Sequence, residues 1–258
     1  AGCEFDNCTS LVSIKIPDSV TSIREYAFRN CTSLVSIEIP ESVTSIGDEA
    51  FSNCTSLESI LIPESITSIG EYAFLGCTSL KEITIPESLT TLSYGVFSQC
   101  TSVENIYYDS TIEKWFNISF KDSGSVPQGN HIYMRNNNSE WEEVTEIEIP
   151  NTITSIYKYQ FFGFRSVTKI TIPSSVTSIG SSAFSNCTSL QEITIPNSVT
   201  SIYSSAFENC TSLKKVIFEE ESKLTEISYR AFSKCVLLDT FIVPNKVTSI
   251  GMESFLEC

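Results

Sequence analysis

Residues 30–52 read Asn30-Cys-Thr-Ser-Leu-Val-Ser-Ile-Glu-Ile-Pro40-Glu-Ser-Val-Thr-Ser-Ile-Gly-Asp-Glu-Ala-Phe-Ser52, and the next 23 residues repeat the pattern almost position for position. Phe28, Phe51, Phe74 and Phe97 stand 23 apart, and so do Pro17, Pro40, Pro63 and Pro86. A second block resumes the same step at Phe161, Phe184 and Phe207, with Pro150, Pro173 and Pro196. A 23-residue unit is too short to bury its own apolar face, whereas stacked units share one continuous core. The period therefore specifies a solenoid.

Within the unit the apolar pattern has the two-residue period of a strand. Leu34, Ile37 and Ile39 are apolar, and Ser36 and Glu38 alternate with the last two. Pro40 ends this first strand because it has no N–H for a ladder. Val43 and Ile46 mark a second, shorter extended segment. Ala50 and Phe51 then enter the core from a short helical or 3₁₀ turn, and no unit has room for a full helix.

Nine of the ten cysteines occupy one repeat position: Cys8, Cys31, Cys54, Cys77, Cys100, Cys187, Cys210, Cys235 and Cys258. Stacking brings neighbouring Cα atoms within disulfide range but leaves their Cβ vectors parallel. A ladder of buried free thiols is the reading that follows. Phe164 fills the place in one unit, which fits packing better than metal ligation. Cys3 is off register and expected to be exposed.

Two irregularities interrupt the pattern. Phe97 and Phe161 are 64 residues apart, so an insertion separates the blocks, at about residues 107–143. It carries Trp115 and Trp141, the single histidine His131, and Tyr107, Tyr108, Phe116, Phe120 and Tyr133. It reads either as a β-hairpin elaboration whose aromatics pack on the solenoid flank or as a ligand platform of exposed rings. The second irregularity, Phe218-Glu-Glu-Glu-Ser-Lys223, adds two residues and reads as a looser turn.

The composition excludes several functions. The chain has 258 residues, a 41% hydrophobic content and a net charge of −15. That charge repels phosphate backbones, so nucleic acid is not an expected partner. No apolar run reaches the ~18 residues that span a bilayer. One histidine, with no nucleophile motif or phosphate-binding loop beside it, supports neither a multi-histidine metal site nor a triad. No cofactor or metal is expected, and the chain reads as a non-enzyme. Five of the seven Asn-x-Ser/Thr sequons (Asn7, Asn30, Asn53, Asn117, Asn137, Asn186 and Asn209) are the Asn-Cys-Thr of the repeat, and satisfy turn hydrogen bonds in this reading. The chain opens and closes inside a unit without polar caps, which reads as a segment of a longer array.

The recurring unit Ala-Phe-x-Asn-Cys-Thr-Ser-Leu-x-x-Ile-x-Ile-Pro-x-Ser-Val-Thr-Ser-Ile-Gly resembles the BspA-like leucine-rich repeats over nearly the whole chain. Residues 106–111 and 113–115 also resemble an insertion in bacterial members. The resemblance implies a leucine-rich-repeat solenoid: right-handed, mostly β, with a parallel concave sheet, turns or 3₁₀ segments on the convex side and little α-helix. It implies one solenoid domain over residues 1–258, made of a first repeat block (1–106), the insertion (107–143) and a second block (144–258). It further implies an extracellular, cell-surface or secreted protein engaged in adhesion, with no catalytic residues to carry over.

The concave sheet is the usual recognition face of a solenoid. Its outward positions in this chain vary from unit to unit while the core positions barely do. The candidate binding surface comprises Lys15, Glu38, Glu82, Tyr107, Trp115, Trp141, Glu148, Lys169, Glu192 and Lys215. The expected partner is a protein or glycan on a host or neighbouring cell, and the alternative is a structural spacer or stalk. Asp18, Glu41, Glu64 and Glu87 follow the prolines of the first block and form an acidic row, read as a solvated edge. A Ca²⁺ site needs six to eight oxygens at one point.

Overall fold

Why the 23-residue step builds a solenoid is visible in the strand register. The computed structural model describes residues 5–136 and 138–258, so Cys3 and the sequon at Asn137 lie outside the described residues. Ser36–Glu38 pairs in parallel with Ser13–Lys15, matching Ser13 to Ser36, Ile14 to Ile37 and Lys15 to Glu38. Each strand thus meets its own copy one unit earlier. The chain forms two compact units, Ala1–Glu143 and Val144–Cys258.

In the first unit, a five-stranded sheet contains Ser59–Leu61, Glu82–Ile85, Asn105–Tyr108, His131–Arg135 and Trp141–Glu143 in that order. In the second, a five-stranded parallel sheet contains Glu146–Glu148, Lys169–Thr171, Glu192–Ile195, Lys215–Phe218 and Thr240–Phe241. The short second strands stack likewise, as Ser155–Ile156, Ser178–Ile179, Ser201–Ile202, Glu226–Ile227 and Ser249–Ile250 do in the second unit. The proline between the strands caps the first and starts a turn: the Val43 N–H donates to the Pro40 carbonyl at 3.0 Å, and the Pro63 and Pro173 turns repeat this bond. The serine two residues later bolts the rungs together. Ser42 donates through its hydroxyl to the Val20 carbonyl at 2.7 Å, and Ser65 to that of Val43 at 2.6 Å.

The core is a set of side-chain columns. Leu34, Val43, Ala50, Phe51 and Cys54 are fully buried. The Phe51 and Phe74 rings stack 5.2 Å apart and nearly parallel, and Phe161, Phe184, Phe207 and Phe232 continue such a column in the second unit. Removing this much aromatic surface from water is the main stabilising term, with ring stacking adding about 0.5–1.5 kcal/mol per pair.

The segment that carries phenylalanine is a run of turns bonded from rung to rung. The Phe51 N–H donates to the Ala73 carbonyl at 2.8 Å, and the Asn53 N–H to that of Leu75 at 2.6 Å. Two residues per rung, four apart, take left-handed backbone: Glu49 and Asn53 (φ 50° and 59°), then Ser182 and Asn186 (53° and 63°). Asparagine tolerates that region well. Its side chain also forms a ladder: Asn53 donates to Asn30, and Asn30 to Asn7, both at 3.0 Å. The repeated sequon asparagines are therefore turn residues.

Residues 107–143 hold more of the solenoid than the spacing promised. His131–Arg135 pairs in parallel with Asn105–Tyr108, Ile132 on Ile106 and Tyr133 on Tyr107. Position 131 follows 105 by 26 residues, so most of the segment is one rung enlarged by three. Its second strand, Ser119–Phe120, pairs with Thr91–Leu92 as a regular rung would. The helix Ile112–Trp115 lies in the connection between the two. Only then does a hairpin form, with Trp141–Glu143 antiparallel to His131–Arg135. The extra residues at 219–223 are absorbed by a turn with Glu221 left-handed (φ 59°), and Leu224 is again fully buried. Among the described residues, no helix is long and apolar enough to cross a membrane.

Candidate functional site

The outward face of the principal sheet is two columns wide in the first unit. Register aligns Ser59, Glu82, Asn105 and His131 in one column and Leu61, Thr84, Tyr107 and Tyr133 in the other. Pleating sends these side chains away from the core while Ile60, Ile83, Ile106 and Ile132 go inward. Leu61 is left 65% exposed.

At the hairpin this face becomes aromatic. The Tyr107 and Tyr133 rings stack 4.9 Å apart, and Trp141 meets Tyr107 edge-on at 5.2 Å. The Arg135 guanidinium lies 3.7 Å above the Trp141 ring and is anchored by Asp109 at 2.6 Å. His131 Nδ1 lies 2.6 Å from a Glu143 carboxylate oxygen. Asn105 donates to Glu82 at 3.2 Å. Partial burial, followed by the charge of Glu82 and by Tyr133, raises the Tyr107 hydroxyl pKa above its ordinary value. All of these groups except Asp109, which directly follows Asn105–Tyr108, sit on paired strands, so the patch is ordered before any ligand arrives.

The structure corrects one candidate. Trp115 is fully buried and cannot be part of a binding surface. It packs edge-on to Tyr108 at 5.0 Å and tilted against Phe120 at 5.5 Å. A one-turn helix turns its apolar side inward and buries Trp115, with Phe116 directly after it. Of the remaining candidates in the first unit, Lys15, Glu38 and Glu82 are exposed, Trp141 is 37% exposed and Tyr107 is half-buried. Glu38 and Glu82 share the face with Tyr107 and Trp141. Sequence reasoning named Tyr133 only among the aromatics of the insertion and missed Arg135, although Ile106-Tyr107-Tyr108 and Ile132-Tyr133-Met134 carry a visible echo.

The second unit places Glu148, Lys169, Glu192 and Lys215 on its own sheet face, all exposed. Here the charges alternate along one column, and Lys169 reaches Glu146 at 3.5 Å and Lys215 reaches Glu192 at 4.0 Å. Pairs this exposed contribute roughly 0–1 kcal/mol each. They do neutralise the face, which carries no aromatic patch comparable to Tyr107, Tyr133 and Trp141.

The acidic row is partly tied down by protein groups. The Glu64 carboxylate accepts the backbone N–H of Glu87 at 3.2 Å. Glu87 pairs with Lys114 at 2.9 Å and accepts the Ser110 hydroxyl at 2.7 Å, and these two contacts hold its carboxyl below the usual carboxylate range. Among the described residues, no group of three or more His, Cys, Asp or Glu side chains gathers around a possible metal position.

The chain matches the BspA type leucine rich repeat region in six copies over residues 3–126 and 134–258, and it belongs to that family. Three solved structures are similar to it. A leucine rich cell surface protein of Faecalibacterium prausnitzii A2-165 is 27% identical, with a TM-score of 0.51 over 95% of this chain and 70% of that chain. A leucine-rich repeat protein of Eubacterium ventriosum ATCC 27560 is 25% identical, with a TM-score of 0.55 over 95% of this chain and 82% of that one. A leucine-rich repeat protein of Bacteroides ovatus ATCC 8483 is 25% identical, with a TM-score of 0.53 over 98% and 78%. No curated protein matches the chain.

Proposed function

We propose that this protein is a non-enzymatic binding module displayed outside the cell or secreted, which adheres to a protein or glycan on a host or neighbouring cell. The observation that carries the reading is the solvent-facing cluster of Tyr107, Tyr133, Trp141 and Arg135 on rigid strands. Tyrosine, tryptophan and arginine dominate binding energy at protein interfaces. Rings locked before contact lose little entropy on binding. The cell-surface description of the Faecalibacterium relative supports the location. Each unit's own sheet face supplies further proposed contacts, Lys15, Glu38 and Glu82 in the first and Glu148, Lys169, Glu192 and Lys215 in the second.

A second reading, a rigid spacer, draws on the uniform phenylalanine column and rung-to-rung bonding. Interferometry against immobilised host matrix proteins and surface glycans at physiological salt separates the two. A recognition module shows saturable binding that is lost in Tyr107→Ala/Trp141→Ala or in Glu82→Ala/Lys169→Ala/Lys215→Ala. Binding that both variants retain sinks the recognition face. A spacer binds nothing on the panel and tolerates deletion of residues 53–75.

A further inference from the structure

The aromatic cluster of the first unit sits in an unusual electrostatic setting. Residues 1–143 hold 20 acidic and 7 basic residues, a net −13, whereas residues 144–258 hold 11 and 9, a net −2. On the sheet face the contrast is sharper. In the second unit Glu192 has Lys215 as a counter-charge, but among the described residues Glu82 has no cation within ion-pairing distance and is met only by the Asn105 amide. Glu82 and Glu143 thus flank the tyrosine pair from the neighbouring column and from the hairpin strand.

The rings offer edges and hydroxyls more than open faces. Tyr107 and Tyr133 turn their faces to each other, and one face of Trp141 lies under Arg135. A pyranose stacks on an open ring face, so this patch suits a sugar poorly. A cation attached to an aliphatic stem suits it better. The charged end meets the Glu82 carboxylate and the tyrosine hydroxyl oxygens, and the stem lies along apolar surface that continues through Leu61 in the tyrosine column.

We infer that the patch formed by Tyr107, Tyr133 and Trp141, with Glu82 and Glu143 at its margin, binds a lysine- or arginine-bearing segment of a protein partner. The inference rests on the recognition reading above and gives it a ligand class. Charge complementarity chooses the occupant: a basic segment is drawn to the acidic unit at long range and held at short range by the Glu82 carboxylate, which has no cationic partner among the described residues.

Trp141 makes the test local, because Trp115 is sealed in the core and the chain has only these two tryptophans. The full chain is titrated with a synthetic dodecapeptide, Gly-Ser-Arg-Leu three times over, then with its lysine and glutamate counterparts and with a hexasaccharide of glucose. The expected result is a saturable change in emission with the arginine and lysine peptides alone. Glu82→Gln and Tyr133→Ala should each weaken it about tenfold or more. Glu41→Gln/Glu64→Gln, on the acidic row, should change it less than about twofold. Glu82→Gln is a surface isostere, so its effect reads binding and not folding.

The inference is overturned by an absence of saturable peptide binding, by preference for the sugar or the glutamate peptide, or by equal losses in the acidic-row variant, which would mean diffuse charge attraction. Peptide failure alongside a panel interaction still lost in Tyr107→Ala/Trp141→Ala removes this ligand class alone. Failure of both removes the recognition reading as well.

Discussion

The Cys77 thiol donates to the carbonyl oxygen of Phe51, in the rung before it, at 3.2 Å. Cys54 does the same to Phe28, Cys187 to Phe161 and Cys210 to Phe184, at 3.1–3.2 Å. The thiol is a weak donor, and the carbonyl it reaches already accepts a backbone N–H of its own turn, as Phe51 does from Cys54 at 3.2 Å, so the thiol fills the second lone pair. The cysteine therefore serves as both a small apolar filler and a cap for its neighbour's turn.

Seven thiols, Cys31, Cys54, Cys77, Cys100, Cys187, Cys210 and Cys235, are buried. A thiol-specific disulfide reagent added to the native protein should leave these seven of the ten unmodified, and all ten should react in denaturant. Burial pushes Cys54, Cys100, Cys187 and Cys235 from 9.0 up to about 12. The folded state keeps these protons at a pH where the unfolded chain releases them. Their contribution is thus complete below pH 9 and falls as pH rises from about 9 toward 12, by up to about 1.4 kcal/mol per thiol per pH unit. Denaturation midpoints flat between pH 9 and 11 would contradict this assignment.

Phe74 stacks between Phe51 and Phe97, at 5.2 and 5.6 Å. Phe74→Ala opens a cavity in the column and should cost about 3–5 kcal/mol. Urea unfolding followed by circular dichroism measures this loss. A cost below about 1 kcal/mol would show that the column is not what holds the rungs.

Gly95 has φ +61°, and a Cβ there would run into the Tyr72 ring one rung earlier. Gly95→Ala should destabilise by more than about 1 kcal/mol. Tyr72→Ala in the same chain should recover the steric part and leave the backbone part. A double-mutant cycle with no coupling between the two positions would mean that the ring does not lie there.

Iodide should quench only the emission of Trp141, since Trp115 has no exposed surface. A Stern–Volmer plot should show two populations, and Trp141→Phe should abolish the accessible one. Quenching that survives this substitution would place Trp115 at the surface after all.

The solenoid was legible because its evidence is periodic: phenylalanine, proline and cysteine each mark the 23-residue step, and Ile37 and Ile39 alternate with Ser36 and Glu38 as a strand must. Residues 107–143 were harder to read. Without the Ala-Phe-x-Asn-Cys marker the 26-residue rung looks like an interruption, and only the paired Ile106 and Ile132 with their tyrosines betray it. Trp115 was misplaced because an aromatic in an irregular stretch resembles a surface ring. Ile112, Trp115 and Phe116, spaced to share one side of a helical turn, held the contrary signal. The thiol-to-carbonyl bonds join residues 26 apart and exist only once rungs stack. Left-handed Glu49 and Ser182 fit no residue preference; the rung-to-rung bonds of the turn impose that conformation.

The 26-residue rung and the 25-residue spacing from Phe207 to Phe232 bear on how the chain finds its alignment. Equal rungs are interchangeable: a strand displaced by one whole repeat would meet an almost identical neighbour and bury almost the same surface. Rungs of unequal length break that equivalence, because a displaced winding would have to place their extra residues in other connections. They act like the odd teeth of a key and set the native alignment apart from windings one repeat out of step.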